Sequence, residues 1–182
     1  MNEFLMHREM VFKLLGICMI LLAAGGCGLT YSRRLRLRLE QVRELQQLMM
    51  LLHGEIQYQC TTLPEAFEAC GGQVESVCGM WMTETGRRLN AMEGMGFREI
   101  WEEQLLDLQS RTVLNKACVD DLRRLGNQMS FPDRDTQLGA LTLYSQRLRE
   151  QEEQLSRELP AKMKLGAMLG VLAGMFLVIL LI

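Results

Sequence analysis

The sequence predicts an all-α protein in which two long antiparallel helices and several short ones form a cytosolic bundle, bracketed by N- and C-terminal transmembrane helices. Three observations carry this reading. Two runs without Asp, Glu, Lys or Arg, Leu14–Tyr31 and Leu165–Ile182, flank a polar middle. Two proline-free stretches, Arg34–Gln59 and Asp133–Leu159, repeat large apolar residues every seven positions. Glycine, proline and capping residues cut what lies between into helix-length pieces.

Residues 1–13 form a short N-terminal tail, and residues 14–31 the first span. A hydrocarbon layer roughly 30 Å thick takes about 20 apolar residues at about 1.5 Å each, and both apolar runs come close. Because one polar segment, residues 32–164, joins them, both of its ends leave the bilayer on the same face. Arg33, Arg34, Arg36, Arg38 and Arg43 follow the first span, and Arg157, Lys162 and Lys164 precede the second, against Arg8 and Lys13 on the outer side. The positive-inside rule therefore places the domain in the cytosol. A competing reading takes Ala24-Gly25-Gly26-Cys27 as a lipoprotein cleavage site, with Cys27 lipidated. Glu3 and Glu9 spoil the positive leader that reading needs, and the arginine cluster would have to cross the membrane.

Within the domain, Leu35, Val42, Met49 and Ile56, with Leu45 and Leu52 between them, make the seam of a first long helix reaching roughly 39 Å. Thr62-Leu63-Pro64-Glu65 is a capping-box pattern with proline suited to a first turn, so a short helix follows, ending at Gly71-Gly72 in a left-handed cap. A third helix is expected over Val74–Met92, with Val74, Val77, Cys78, Trp81, Met82 and Leu89 inward. Phe97–Leu108 is amphipathic, with Phe97, Ile100, Trp101, Leu105 and Leu108 on one stripe. A fifth helix carries Cys118, Leu122 and Leu125 and ends at Gly126. Asp133 caps the second long helix, whose Leu141, Leu148 and Leu155 repeat beside Leu138 and Leu159.

Pro160 should kink the chain where it meets the bilayer, and residues 165–182 form the second span. There Gly166, Gly170 and Gly174 fall four apart on one face, suited to close helix packing within the hairpin or between copies in a homo-oligomer.

The chemistry is sparse. A net charge of −2 and a basic cluster confined to the membrane border argue against nucleic acid. Of six cysteines, Cys18 and Cys27 fall in the first run, and Cys60, Cys70, Cys78 and Cys118 lack C-x-x-C spacing, so free, partly buried thiols are expected. His7 and His53 share no helical face with another ligand, which leaves no metal site. No phosphate loop, dinucleotide fingerprint or nucleophile elbow occurs, so neither cofactor nor catalytic residue is assigned. Glu150, Glu152, Glu153 and Glu158 among Arg147, Arg149 and Arg157 read as a solvated helix face.

Taken in order, several stretches resemble the stage III sporulation protein AB family of endospore-forming bacteria over nearly the whole chain. They are Lys13-Leu14-Leu15-Gly16, Glu55-Ile56-Gln57-Tyr58 with Thr61, Leu63, Glu65 and Ala66, then Arg98-Glu99-Ile100-Trp101-Glu102. Leu125-Gly126, Asp133-Arg134, Thr136-Gln137 and Lys164-Leu165-Gly166 follow. The resemblance implies a six-helix fold related to the cytosolic F domains of type II secretion platforms. It also implies a structural, non-enzymatic role on the mother-cell side of the membrane around the forespore. The implied partners are the other stage III sporulation channel proteins, including a cytosolic secretion-type ATPase.

Glu55, Tyr58, Thr61, Leu63, Glu65, Ala66 and Trp101 are the candidate motif or partner-contact residues, with Trp101 acting through folding. Two departures stand out: Thr62 follows Thr61 where relatives carry proline, and relatives begin near Lys13, which makes Met10 a candidate start. A membrane-anchored signalling module, homodimerising through the two heptad seams, is the alternative.

Overall fold

The computed structural model describes residues 33–59, 61–91 and 94–181, with side chains in the last helix followed to Leu165 and at Met168. Among the described residues there are six α-helices and no strand. α1 covers residues 33–54 and passes into a π-helical turn, Glu55–Gln59. Then come α2 (Leu63–Gly71), α3 (Val77–Asn90), α4 (Phe97–Arg111), α5 (Lys116–Met129) and α6 (Arg134–Leu181). Two compact units divide the chain: Leu37–Leu155, and Met1–Arg36 together with Ser156–Ile182.

Inside the Leu37–Leu155 unit, the long helices run antiparallel, as the sequence predicts. Arg43 Nε lies 2.7 Å from Glu152 Oε1, while Arg134 at the start of α6 donates to the carbonyl of Gln57 just beyond α1, so going up α1 means going down α6. Val42, Leu45, Met49 and Leu52 are fully buried on one seam, Leu141 and Leu148 on the other. Each such side chain contributes about 1.5–3 kcal/mol on leaving water. Both seams are thus satisfied within one chain. Leu48 and Tyr144, which the heptad reading passes over, are buried with them.

The short helices depart from expectation in instructive ways. Gly72 is right-handed (φ −66°), not a left-handed cap. The glycine that matters is Gly71, where a Cβ would stand 2.3 Å from Thr83 Oγ1 and 2.7 Å from the Gly79 carbonyl, so α2 and α3 touch backbone to backbone. α3 starts at Val77, later than Val74, because the Ser76 side chain accepts the Gly79 N–H at 3.1 Å. α5 does not stop at Gly126 but continues to Met129. Asp133 does cap α6, accepting the Thr136 N–H at 2.9 Å, and Pro160 lies inside that helix rather than beyond its end.

In the other unit, Arg36 donates to the Met163 sulfur at 3.3 Å, and Lys162 pairs with Glu158 at 2.6 Å. Among the described residues no helix is long and apolar enough to cross a membrane. The 14–31 run lies outside the described residues, as do the side-chain surroundings of Gly166, Gly170 and Gly174, whose backbone is helical.

Candidate interaction surface

Of the sequence candidates, Glu55 and Tyr58 lie where α1 ends. A π-helical turn widens the backbone by one residue and is frequent at functional positions. Here it buries Ile56 and leaves Gln57, Tyr58 and Gln59 outside, with Tyr58 78% exposed. Gln59 Nε2 donates to Glu55 Oε1 at 3.0 Å, tying the turn to itself. Arg134 reaches the Gln57 carbonyl from the start of α6, and Gln137 donates to the Phe131 carbonyl at 2.8 Å and to that of Met129 at 3.2 Å. One end of the bundle therefore presents Tyr58 and the half-exposed Phe131 on a hydrogen-bonded frame.

Next in the chain, Thr61 and Glu65 are exposed, while Leu63 and Pro64 are half-buried. The Glu65 carboxylate accepts the Thr62 N–H at 3.2 Å, the reach-back arm of the capping box. Ala66 and Trp101 are elsewhere in kind: both are buried in the core. Trp101 stacks on Phe97 at 5.7 Å, meets Trp81 edge-on at 5.2 Å and Phe67 at 5.9 Å, and donates its indole N–H to the Leu122 carbonyl at 3.1 Å. A Cβ on Gly126 would fall 2.1 Å from Trp101 Nε1, so the bare α5 backbone at Gly126 is the seat of the indole.

The described thiols are enclosed and held protonated. Cys70, Cys78 and Cys118 are free and buried, more so than expected. Burial, with a smaller push from the Glu55 charge, raises Cys70 to about 12, and burial raises Cys118 to about 11. Cys78 is raised further, by burial and then by Glu44. Thiols held this firmly protonated are poor nucleophiles and poor metal ligands. Among the described residues no three His, Cys, Asp or Glu side chains converge as a metal site.

The family model described as stage III sporulation protein AB matches residues 13–182. The chain belongs to the stage III sporulation protein AB family. A curated relative, stage III sporulation protein AB of Bacillus subtilis (strain 168), is 25% identical over 171 residues, covering 94% of this chain and 99% of its own. A solved structure of stage III sporulation protein AB shares the fold, with a TM-score of 0.62 at 21% identity, over 68% of this chain and 97% of that one.

Within this member of the family, the stretches on which the sequence likeness rests acquire distinct jobs. Trp101 and Gly126 lock α4 to α5, and Glu102 reinforces the joint by accepting from Arg123 Nε at 2.8 and 2.9 Å. Arg134 holds the π-helical turn through the Gln57 carbonyl, while Asp133 caps α6 and Gln137 ties its first turn to the Met129 and Phe131 carbonyls. Sequence reasoning missed Phe131 and the π geometry; an aromatic directly before Pro132, in a segment too short to bury it, was the available signal.

Proposed function

We propose that the chain is a non-enzymatic membrane scaffold of the stage III sporulation channel complex between mother cell and forespore. In this reading its two apolar runs span the membrane, its bundle faces the mother-cell cytosol, and the end of the bundle around Tyr58 docks a secretion-type ATPase. The observation that carries the reading is the antiparallel pairing of α1 with α6. Arg43 beside Glu152 brings the two exits of the Leu37–Leu155 unit to one end, as a hairpin anchored at both termini requires, and leaves Tyr58 at the other end. Family membership and the arginine-rich borders of the apolar runs support the same topology. The glycine repeat at Gly166, Gly170 and Gly174 would let the anchor pack against another membrane helix.

Deleting the gene tests the role. Development arrested after engulfment, with loss of heat-resistant spores, is the expected outcome, and normal spore yield would overturn it. The alternative, a signalling module homodimerising through the heptad seams, draws less support, because Val42, Leu45, Met49, Leu52, Leu141 and Leu148 are buried inside a single chain.

A further inference from the structure

Where α1 begins and α6 runs on past Ser156, residues 33–36 and 156–182 carry six basic side chains, Arg33, Arg34, Arg36, Arg157, Lys162 and Lys164, and one acidic, Glu158. Lys162 takes up that carboxylate at 2.6 Å. No carboxylate among the described residues pairs with Arg33, Arg34, Arg36 or Lys164, and all four are exposed. Arg36 donates instead to the Met163 sulfur at 3.3 Å, a neutral and weak acceptor that leaves the guanidinium charge uncompensated. The same bond sets the first turn of α1 beside the Lys162–Lys164 turn of α6, so the cations gather at one level. Just beyond, α6 changes character: Leu165 and Met168 follow Lys164 on one helical face and stand 63% and 67% exposed. Large apolar side chains left uncovered directly past an unneutralised basic collar match a charged bilayer surface, with headgroups at the collar and hydrocarbon beyond it. A nucleic acid or an acidic protein would satisfy the collar and leave Leu165 and Met168 bare.

We propose that this collar binds the headgroups of net-negative phospholipids, an inference that rests on the membrane reading above. The guanidinium forks of Arg33, Arg34 and Arg36 take phosphate oxygens in pairs, Lys164 adds a point charge, and Leu165 and Met168 enter the acyl layer beside it. The headgroup must carry net negative charge, because a zwitterionic choline lipid brings back the positive charge that the collar already holds in excess.

The test uses the full chain reconstituted in phosphatidylcholine liposomes with a trace of spin-labelled phosphatidylglycerol or spin-labelled phosphatidylcholine, and reads the motionally restricted fraction of each label by electron spin resonance. Phosphatidylglycerol should associate about fivefold more strongly, which is what one basic residue near the surface supplies. Combining Arg33→Gln, Arg34→Gln, Arg36→Gln and Lys164→Gln should bring the ratio to unity. On the unmutated chain, raising KCl from about 0.1 M to about 1 M shortens the Debye length from about 10 Å to about 3 Å and should do the same, independently of whether the variant folds. Equal restriction of the two labels overturns the proposal, and so does a preference that survives the four substitutions. Inorganic phosphate that abolishes the preference at an ionic strength where KCl does not would make the collar a free-anion site and overturn it too. A chain that restricts neither label defeats the membrane reading itself, whereas one that restricts both equally leaves that reading standing.

Discussion

Trp101 is the residue on which most of the short-helix region converges. Its indole N–H is spent on Leu122 and its face on Phe97, so removing only the donor by Trp101→Phe should cost about 1–3 kcal/mol, the penalty of an orphaned buried carbonyl. Gly126→Ala should destabilise by about 1–3 kcal/mol through overpacking, because its Cβ would enter the indole. Gly54→Ala is the control: nothing lies within 4 Å of that Cβ, and the helix should gain about 0.4–1 kcal/mol. Denaturant unfolding of the three variants in detergent checks all of these. The sequence showed Trp101 as one member of an apolar stripe, and the structure keeps it there. It could not show why Gly126 is glycine, since a glycine near the end of an apolar pattern reads equally as a stop or as a close approach, and only the tertiary neighbour distinguishes them.

At the scale of the elements, caps and pairings set the boundaries. Hydrogen bonds from the Thr136 hydroxyl and amide hold the Asp133 carboxylate below its usual range. Its folded form thus binds its proton less readily than its unfolded form. The stabilising contribution is complete above the ordinary carboxylate pKa and is lost as pH falls through the depressed one. Asp133→Asn should therefore flatten the decline in melting temperature as pH falls below about 4 relative to the parent chain. The Arg43–Glu152 pair is half-exposed on the arginine side, so a double-mutant cycle should return a coupling of only about 0.2–1 kcal/mol, with the charge-swapped pair restoring stability lost in either reversal. The heptads made both long helices legible in sequence because their period is long and their seams apolar. The start of α3 was not, since Val74 is buried just ahead of the Ser76 cap and so keeps the helical pattern without belonging to the helix.

For the whole molecule, the arrangement separates a packed interior from a presented end. Tyr58→Ala removes an exposed ring and should leave stability within about 0.5 kcal/mol while lowering the yield of heat-resistant spores, as scored by heat-kill plating alongside a melting curve. A parallel fall in stability would place the effect in folding instead. Of the candidate surface, the sequence delivered the segment but not its relief: Ala66 and Tyr58 belong to one motif stretch, yet one is enclosed and the other stands in solvent. Tyr58 stands on the π-helical turn, which shifts the register by one residue and leaves no compositional mark. The most direct measurement is a photo-crosslinking amino acid placed at Tyr58 in sporulating cells. A covalent adduct with the complex's secretion-type ATPase is the expected result. Adducts only between copies of this chain, or none despite its normal accumulation, would contradict a scaffold that docks its ATPase through this end.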